Sequence, residues 1–177
     1  KKMNKPCIVV GIDHGGDKRL NEYNPYDNAQ YGKGEGAAYA TFLAQTLKPF
    51  VDGHYRTLPD AGNTFIAGSS MGGLISFYTI LQYPDVFGKA GIFSPSFWIA
   101  PQLYDDVPKT VFKNMHYFFL YAGGKESKSM VEDVKKMTDA LHKINHTRVT
   151  EVIYPNGQHN EKNWQLYFDD FYTWLMQ

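Results

Sequence analysis

The chain has 177 residues, enough for one domain with a substantial core. Its 18 Lys and Arg balance 18 Asp and Glu, leaving no field to gather nucleic acid or an acidic membrane surface, and neither is expected as a partner. No apolar run reaches the length that spans a bilayer.

Lys1-Lys2-Met3-Asn4 precedes a single short apolar run, so no secretory leader is expected, and the compartment stays open. That run, Cys7-Ile8-Val9-Val10-Gly11-Ile12, is β-branched and reads as a strand covered on both faces of a parallel sheet. Cys7, the one cysteine, has no internal disulfide partner and is expected as a small buried hydrophobe. Residues 13–28 form a polar loop, and 35–51 a helix with Pro49 in its last turn. A connector over 54–63 leads to a short strand, 64–67, and then to an apolar helix, 74–83, stopped at Pro84.

The next strand covers 89–94 and is followed by Ser94-Pro95-Ser96-Phe97-Trp98. An irregular pair of short helices is expected over 101–114. The most apolar strand, 117–122, ends in Gly123-Gly124. Ser129 and Glu132 have capping-box spacing before an amphipathic helix to about 145. A strand over 147–154, a loop over 155–160 and an aromatic-rich helix over 163–176 close the chain. Strand and helix alternate, which predicts an α/β fold with a mostly parallel sheet.

The stretch Gly68-Ser69-Ser70-Met71-Gly72 stands between a predicted strand and a predicted helix. A serine on such a tight, strained turn is pushed out at the sheet edge, with the helix N-terminus below it to favour negative charge. Gly68 and Gly72 are expected to let strand and helix approach without Cβ clashes. Ser70 is therefore the candidate nucleophile, against the plainer reading of a tight turn. A hydroxyl needs a base to take its proton, and the base needs an acid to orient it. Glu126 and His159 lie in loops after strands, in the order such sites require. The alternatives are a solvated acid near a helix start and an exposed loop histidine. Glu132 and Asp133 are weaker rivals for the acid, since both fall inside the next helix. His54, His116, His142 and His146 read as structural or solvated. The residue after a nucleophile supplies one oxyanion donor, so Met71 N–H is the first candidate. His14-Gly15-Gly16 has the look of a second donor loop. Too few elements separate it from Ser70, however, so the 7–12 strand reads better as strand four of the fold.

Gly68-Ser69-Ser70-Met71-Gly72-Gly73-Leu74, Tyr83-Pro84-Asp85-Val86-Phe87, Phe93-Ser94-Pro95-Ser96-Phe97-Trp98 and Gly157-Gln158-His159 together resemble the esterase D-type esterases. Val10-Gly11-Ile12-Asp13, Arg19-Leu20-Asn21-Glu22-Tyr23 and Tyr55-Arg56-Thr57 fit the same family. The resemblance covers nearly the whole chain. It implies an α/β-hydrolase three-layer sandwich, with Ser70 as nucleophile, Glu126 as acid and His159 as base. It also implies a substrate-lining Trp98, with core packing as the alternative, and no cofactor or metal. The family includes feruloyl and acetylxylan esterases, siderophore trilactone esterases, S-formylglutathione hydrolase and mycolyltransferases. Many members have Asp where this chain has Glu126. Members also begin with further strands and a loop carrying the second oxyanion donor, so residues 1–177 are expected as one α/β-hydrolase domain lacking its N-terminal strands.

The leading function is a serine carboxylic-ester hydrolase working through an acyl-enzyme on a small-molecule or carbohydrate ester, acetylated or feruloylated. Acyl transfer by the same three residues is one alternative, and a non-catalytic binding relic is another.

Overall fold

The computed structural model describes residues 5–177, so the leader reading of Lys1-Lys2-Met3-Asn4 lies outside the described residues. Four strands, β1 (Phe65–Ser69), β2 (Lys89–Phe93), β3 (His116–Gly123) and β4 (Thr147–Tyr154), form a parallel sheet in the order β1-β2-β3-β4. The sheet is apolar on both faces. Along β3, Phe118, Leu120 and Ala122 join the larger core, while Phe119 and Tyr121 face the smaller one. This period of two, without a polar side, is what a strand with helices above and below requires.

Helix α1 is continuous from Gly36–Phe42 through a π-helical stretch, Leu43–Leu47, into Lys48–His54. Pro49 accounts for the wide turn: it has no N–H to donate, and its ring would press on the carbonyl four residues back. Helix α2 (Met71–Gln82) is buried almost all round, from Leu74 and Phe77 to Ile80, and packs on β1 and β2. Helix α3 (Met130–Leu141) packs on β3 and β4. Helices α4 (Glu161–Gln165) and α5 (Phe168–Leu175) cover the other face, where Phe171 meets Phe93 and Phe119. The result is the three-layer α/β-hydrolase sandwich that the sequence predicts.

Several expectations change in detail. Residues 7–12 are not a strand: they form no sheet pairing, and Ile8, Val9, Val10 and Ile12 are all exposed, Val9 by 83%. A β-branched run stays a strand only where a neighbour takes its N–H and C=O groups, and no described residue forms the strand-three neighbour this run would need. Cys7 is accordingly exposed rather than buried. Just before this run Lys5 ties the chain to the end of α5: its Nζ donates to Met176 O, the residue after the helix, at 2.6 Å, and the Tyr172 hydroxyl of α5 donates to Lys5 O at 2.5 Å. The Ser129 capping box does not form. Ser129 is itself helical in φ and ψ, and Ser127 Oγ accepts from Met130 N–H at 3.1 Å. The closing helix is broken in two, with Asn160 Oδ1 capping the first piece by accepting from Asn163 N–H at 3.0 Å. The short helical pair is present as Leu103–Asp106 and Val107–Lys109.

Candidate active site

The carboxyl end of the sheet gathers the residues that the sequence singles out. Ser70 is the sole residue between β1 and α2, and its backbone has φ 57° and ψ −123°. A residue with a Cβ is strained there and persists only when its surroundings hold it. Three hydrogen bonds do so: Ser70 N–H to Phe93 O at 2.9 Å, and Leu74 and Ser96 N–H to Ser70 O at 3.1 and 3.2 Å. Gly68 must be glycine, because a Cβ there would stand 2.5 Å from the Gly72 carbonyl carbon and oxygen. Gly72 is different. A Cβ on it would meet nothing within 4 Å, so the expectation of a clash there is not met. Gly73 is the tighter position, 3.1 Å from Phe93 O by the same measure. Met71 opens α2; its side chain is buried, and among the described residues its N–H has no acceptor.

Glu126 and His159 come together because two loops press on each other with glycines at the contact. A Cβ on Gly123 would lie 2.5 Å from Glu126 Oε1 and 2.6 Å from Gly157 C, and one on Gly157 would lie 2.6 Å from Tyr121 Oη. Gly124 N–H donates to Tyr154 O and Lys125 N–H to Gly157 O, each at 2.8 Å, which zips the loop after β3 to the loop after β4. Within this contact His159 Nδ1 donates to Glu126 Oε2 at 2.7 Å. The Glu126 side chain is 1% exposed and the imidazole 39%. Glu126 Oε1 accepts from Gly123 N–H and from Ser94 Oγ, both at 2.7 Å. A buried carboxylate thus fixes one nitrogen of a half-exposed imidazole and leaves the other free of protein partners among the described residues.

Ser70 does not hydrogen-bond to His159 in this structure; its Oγ lies 3.4 Å from Ser96 Oγ. Trp98 is 53% exposed between Phe97 and Ile99, which are buried, so core packing does not describe it. Two residues beyond Ser96, it meets Tyr31 edge to face at 5.8 Å. Tyr31 was not legible beforehand: it is placed by the Asn28–Gly32 bridge and by Asn28 Nδ2 donating to Ile99 O. Ser94, Ser96 and Trp164 also escaped the sequence reading, because their contacts join elements far apart in the chain.

The remaining candidates lie elsewhere. Gly15 N–H donates to Glu22 Oε2 at 2.8 Å and Gly16 N–H to His14 O at 2.8 Å, so both glycine amides of that loop are already engaged. Asp133 receives the Tyr104 hydroxyl, and Glu132 is exposed. His116 is buried with Nδ1 near Asn114 O and Nε2 near Pro84 O, while His54 stacks on Phe50 and His142 and His146 are exposed. Tyr121, beneath the Glu126 loop, has a hydroxyl with no hydrogen-bond partner among the described residues; burial first, and then the Glu126 charge, push its pKa up to about 12. Among the described residues no cluster of three or more His, Cys, Asp or Glu is placed to hold a metal, and no helix is long and apolar enough to cross a membrane.

Comparison with known proteins fits this geometry. Residues 1–173 match the model of the family described as Putative esterase. A Bacillus subtilis protein, YbbA, is 27% identical over 149 residues, 76% of this chain and 57% of that protein. The endo-1,4-beta-xylanase/feruloyl esterase of Xylanibacter ruminicola is 30% identical over 77% of this chain, although the match covers 17% of that longer protein. Among solved structures, the IroE-like serine hydrolase of Shewanella oneidensis superposes with a TM-score of 0.71 at 21% identity, over 86% of this chain and 55% of its own. The chain therefore spans little more than half of YbbA and of that hydrolase, and much less of the xylanase/feruloyl esterase. By the family match over nearly its whole length, and by its fold, this chain belongs to the Putative esterase family of α/β-hydrolases.

Proposed function

We propose that the chain carries the catalytic centre of a serine carboxylic-ester hydrolase. Ser70 Oγ attacks the ester carbonyl while His159 Nε2 takes the hydroxyl proton. The charge that develops on the carbonyl oxygen meets the free Met71 N–H at the α2 N-terminus. The ester C–O bond then breaks, His159 gives the proton to the departing alkoxide, which leaves as the alcohol, and the acyl group stays on Ser70 Oγ. Water, activated by the same imidazole, releases the acid and restores Ser70. Glu126 holds the tautomer with its proton on Nδ1, so that Nε2 is the base. The 2.7 Å Glu126–His159 pair, set at the same sheet edge as Ser70, is the observation that carries this reading. The Ser70–His159 hydrogen bond closes when substrate is bound, since such contacts are often long without it.

Exposed Trp98, two residues beyond the Ser96 that faces Ser70 and edge-on to the half-buried Tyr31, supports a ligand with a flat face, an aromatic acyl group or a sugar ring. The likeness to a xylanase/feruloyl esterase supports feruloylated carbohydrate as the substrate class, with acetylated carbohydrate as the alternative to be tested beside it. Hydrolysis of p-nitrophenyl acetate and of acetyl and feruloyl sugar esters, by wild type and by Ser70→Ala, tests the proposal. Ser70→Ala is expected to lose at least about 10³-fold in kcat. Wild-type turnover in that variant would overturn it.

A further inference from the structure

Glu126 is held by a chain of donors that reaches beyond His159. Trp164 Nε1 lies 2.8 Å from Ser94 Oγ, and Ser94 Oγ lies 2.7 Å from Glu126 Oε1. The direction of this chain follows from the chemistry of the groups alone. An indole N–H only donates, so Ser94 Oγ is its acceptor. A hydroxyl has a single proton, and the acceptor facing it is Glu126 Oε1. The run is Trp164 N–H to Ser94 O–H to Glu126 carboxylate, and each bond polarises the next.

Ser94 is built for this task at a cost in backbone strain. Its φ is 45°, so two of the three non-glycine residues with positive φ among those described, Ser70 and Ser94, sit at this one site. Glycine would occupy that conformation more easily. The backbone is pinned by Ser94 N–H donating to Tyr121 O at 2.8 Å, and the residue is fully buried. The same Trp164 ring stands edge-on to the His159 imidazole at 5.1 Å. One indole thus contacts the base with its ring and steadies the acid through its N–H.

We propose that Ser94 and Trp164 are positioning residues: Ser94 fixes the Glu126 carboxylate so that Oε2 faces His159 Nδ1, and Trp164 commits the Ser94 hydroxyl to that bond. The inference rests on the catalytic reading above and deepens it. Without Ser94, Oε1 keeps only the Gly123 N–H, and the carboxylate is free to turn about its last bond.

The test uses Ser94→Gly, which deletes the hydroxyl while easing the positive φ, and Trp164→Phe, which keeps a ring and deletes the N–H. Ser94→Gly should lower kcat for p-nitrophenyl acetate by about 10-fold or more, as expected for a hydrogen bond to a charged group, with KM within about 2-fold. Trp164→Phe should lower kcat by a smaller factor. Because Trp164 acts on the acid through Ser94, the double variant should be no slower than Ser94→Gly, whereas independent structural effects would multiply. In the proton NMR spectrum, the downfield His159 Nδ1–H resonance should shift in Ser94→Gly. Wild-type kcat in Ser94→Gly beside an inactive Ser70→Ala overturns this inference alone, as does a multiplicative double variant. Full turnover in Ser70→Ala overturns the catalytic reading and this inference with it.

Discussion

The strained turn at Ser70 makes a prediction about stability that is separate from chemistry. Replacing Ser70 by Ala or by Gly removes the hydroxyl in both cases, but only Gly relieves the φ of 57° and ψ of −123°. A residue with a Cβ held in such a region costs about 1–3 kcal/mol. Against that, glycine loses about 0.5–1 kcal/mol more backbone entropy on folding. Among the described residues the hydroxyl's one hydrogen-bond partner is Ser96 Oγ at 3.4 Å, long for an O–H···O bond, so its loss weighs little and equally in both variants. Taking mid-range values, Ser70→Gly should be about 1 kcal/mol more stable than Ser70→Ala. For a chain of this size that is about 3 °C in Tm. Thermal unfolding followed by circular dichroism, on both variants and wild type in one buffer, reads the difference directly. If Ser70→Gly melts at or below Ser70→Ala, the strain argument is wrong.

Other expectations concern the loops beneath the acid. Gly123→Ala would place a Cβ 2.5 Å from Glu126 Oε1 and 2.6 Å from Gly157 C, and backbone cannot yield cheaply. It should destabilise the protein by about 1–3 kcal/mol and lower esterase activity well beyond the accompanying loss of folded protein; unchanged activity in a folded variant would refute the loop-contact account. Tyr121→Phe deletes a buried hydroxyl that has no partner among the described residues, so it should be neutral or stabilising by about 1 kcal/mol at pH 7 in urea unfolding. The same variant bears on alkaline stability. The folded state raises this phenol from 10.0 to about 12, so its contribution is complete below pH 10 and is lost as pH rises towards 12, where the unfolded chain ionises first. Tyr121→Phe should therefore lose less stability than wild type between pH 9 and pH 11, and an identical loss would rule Tyr121 out as a cause.

What the sequence showed and what it hid divide along physical lines. The Ser70 turn was legible because strand, small-residue knot and helix are neighbours in the chain. Glu126 and His159 were legible because each stands in a loop after a strand, and a parallel sheet brings such loops to one edge. The π-turn before Pro49 depends on local backbone crowding, which apolar periodicity does not record, and the same periodicity runs on across the break between α4 and α5. Residues 7–12 misled because β propensity states what a segment prefers when paired, not whether a partner is there. The Ser94–Trp164 contact joins residues 70 apart, and no pattern in either stretch announces it. The apposition of Gly123 and Gly157 is hidden for the same reason, although two glycine-bearing loops flanking an acid and a histidine are a usable cue.

The central claim is that Ser70 is a nucleophile activated by His159 and Glu126. A fluorophosphonate reports this directly, since it is attacked by the activated hydroxyl and leaves a stable phosphonyl ester. Intact and peptide mass spectrometry of the labelled wild-type protein should find one adduct, on the peptide containing Ser70. The adduct should be absent in Ser70→Ala and form far more slowly in His159→Ala. An adduct that persists at the wild-type rate in Ser70→Ala, or no adduct on folded wild-type protein, would contradict the account.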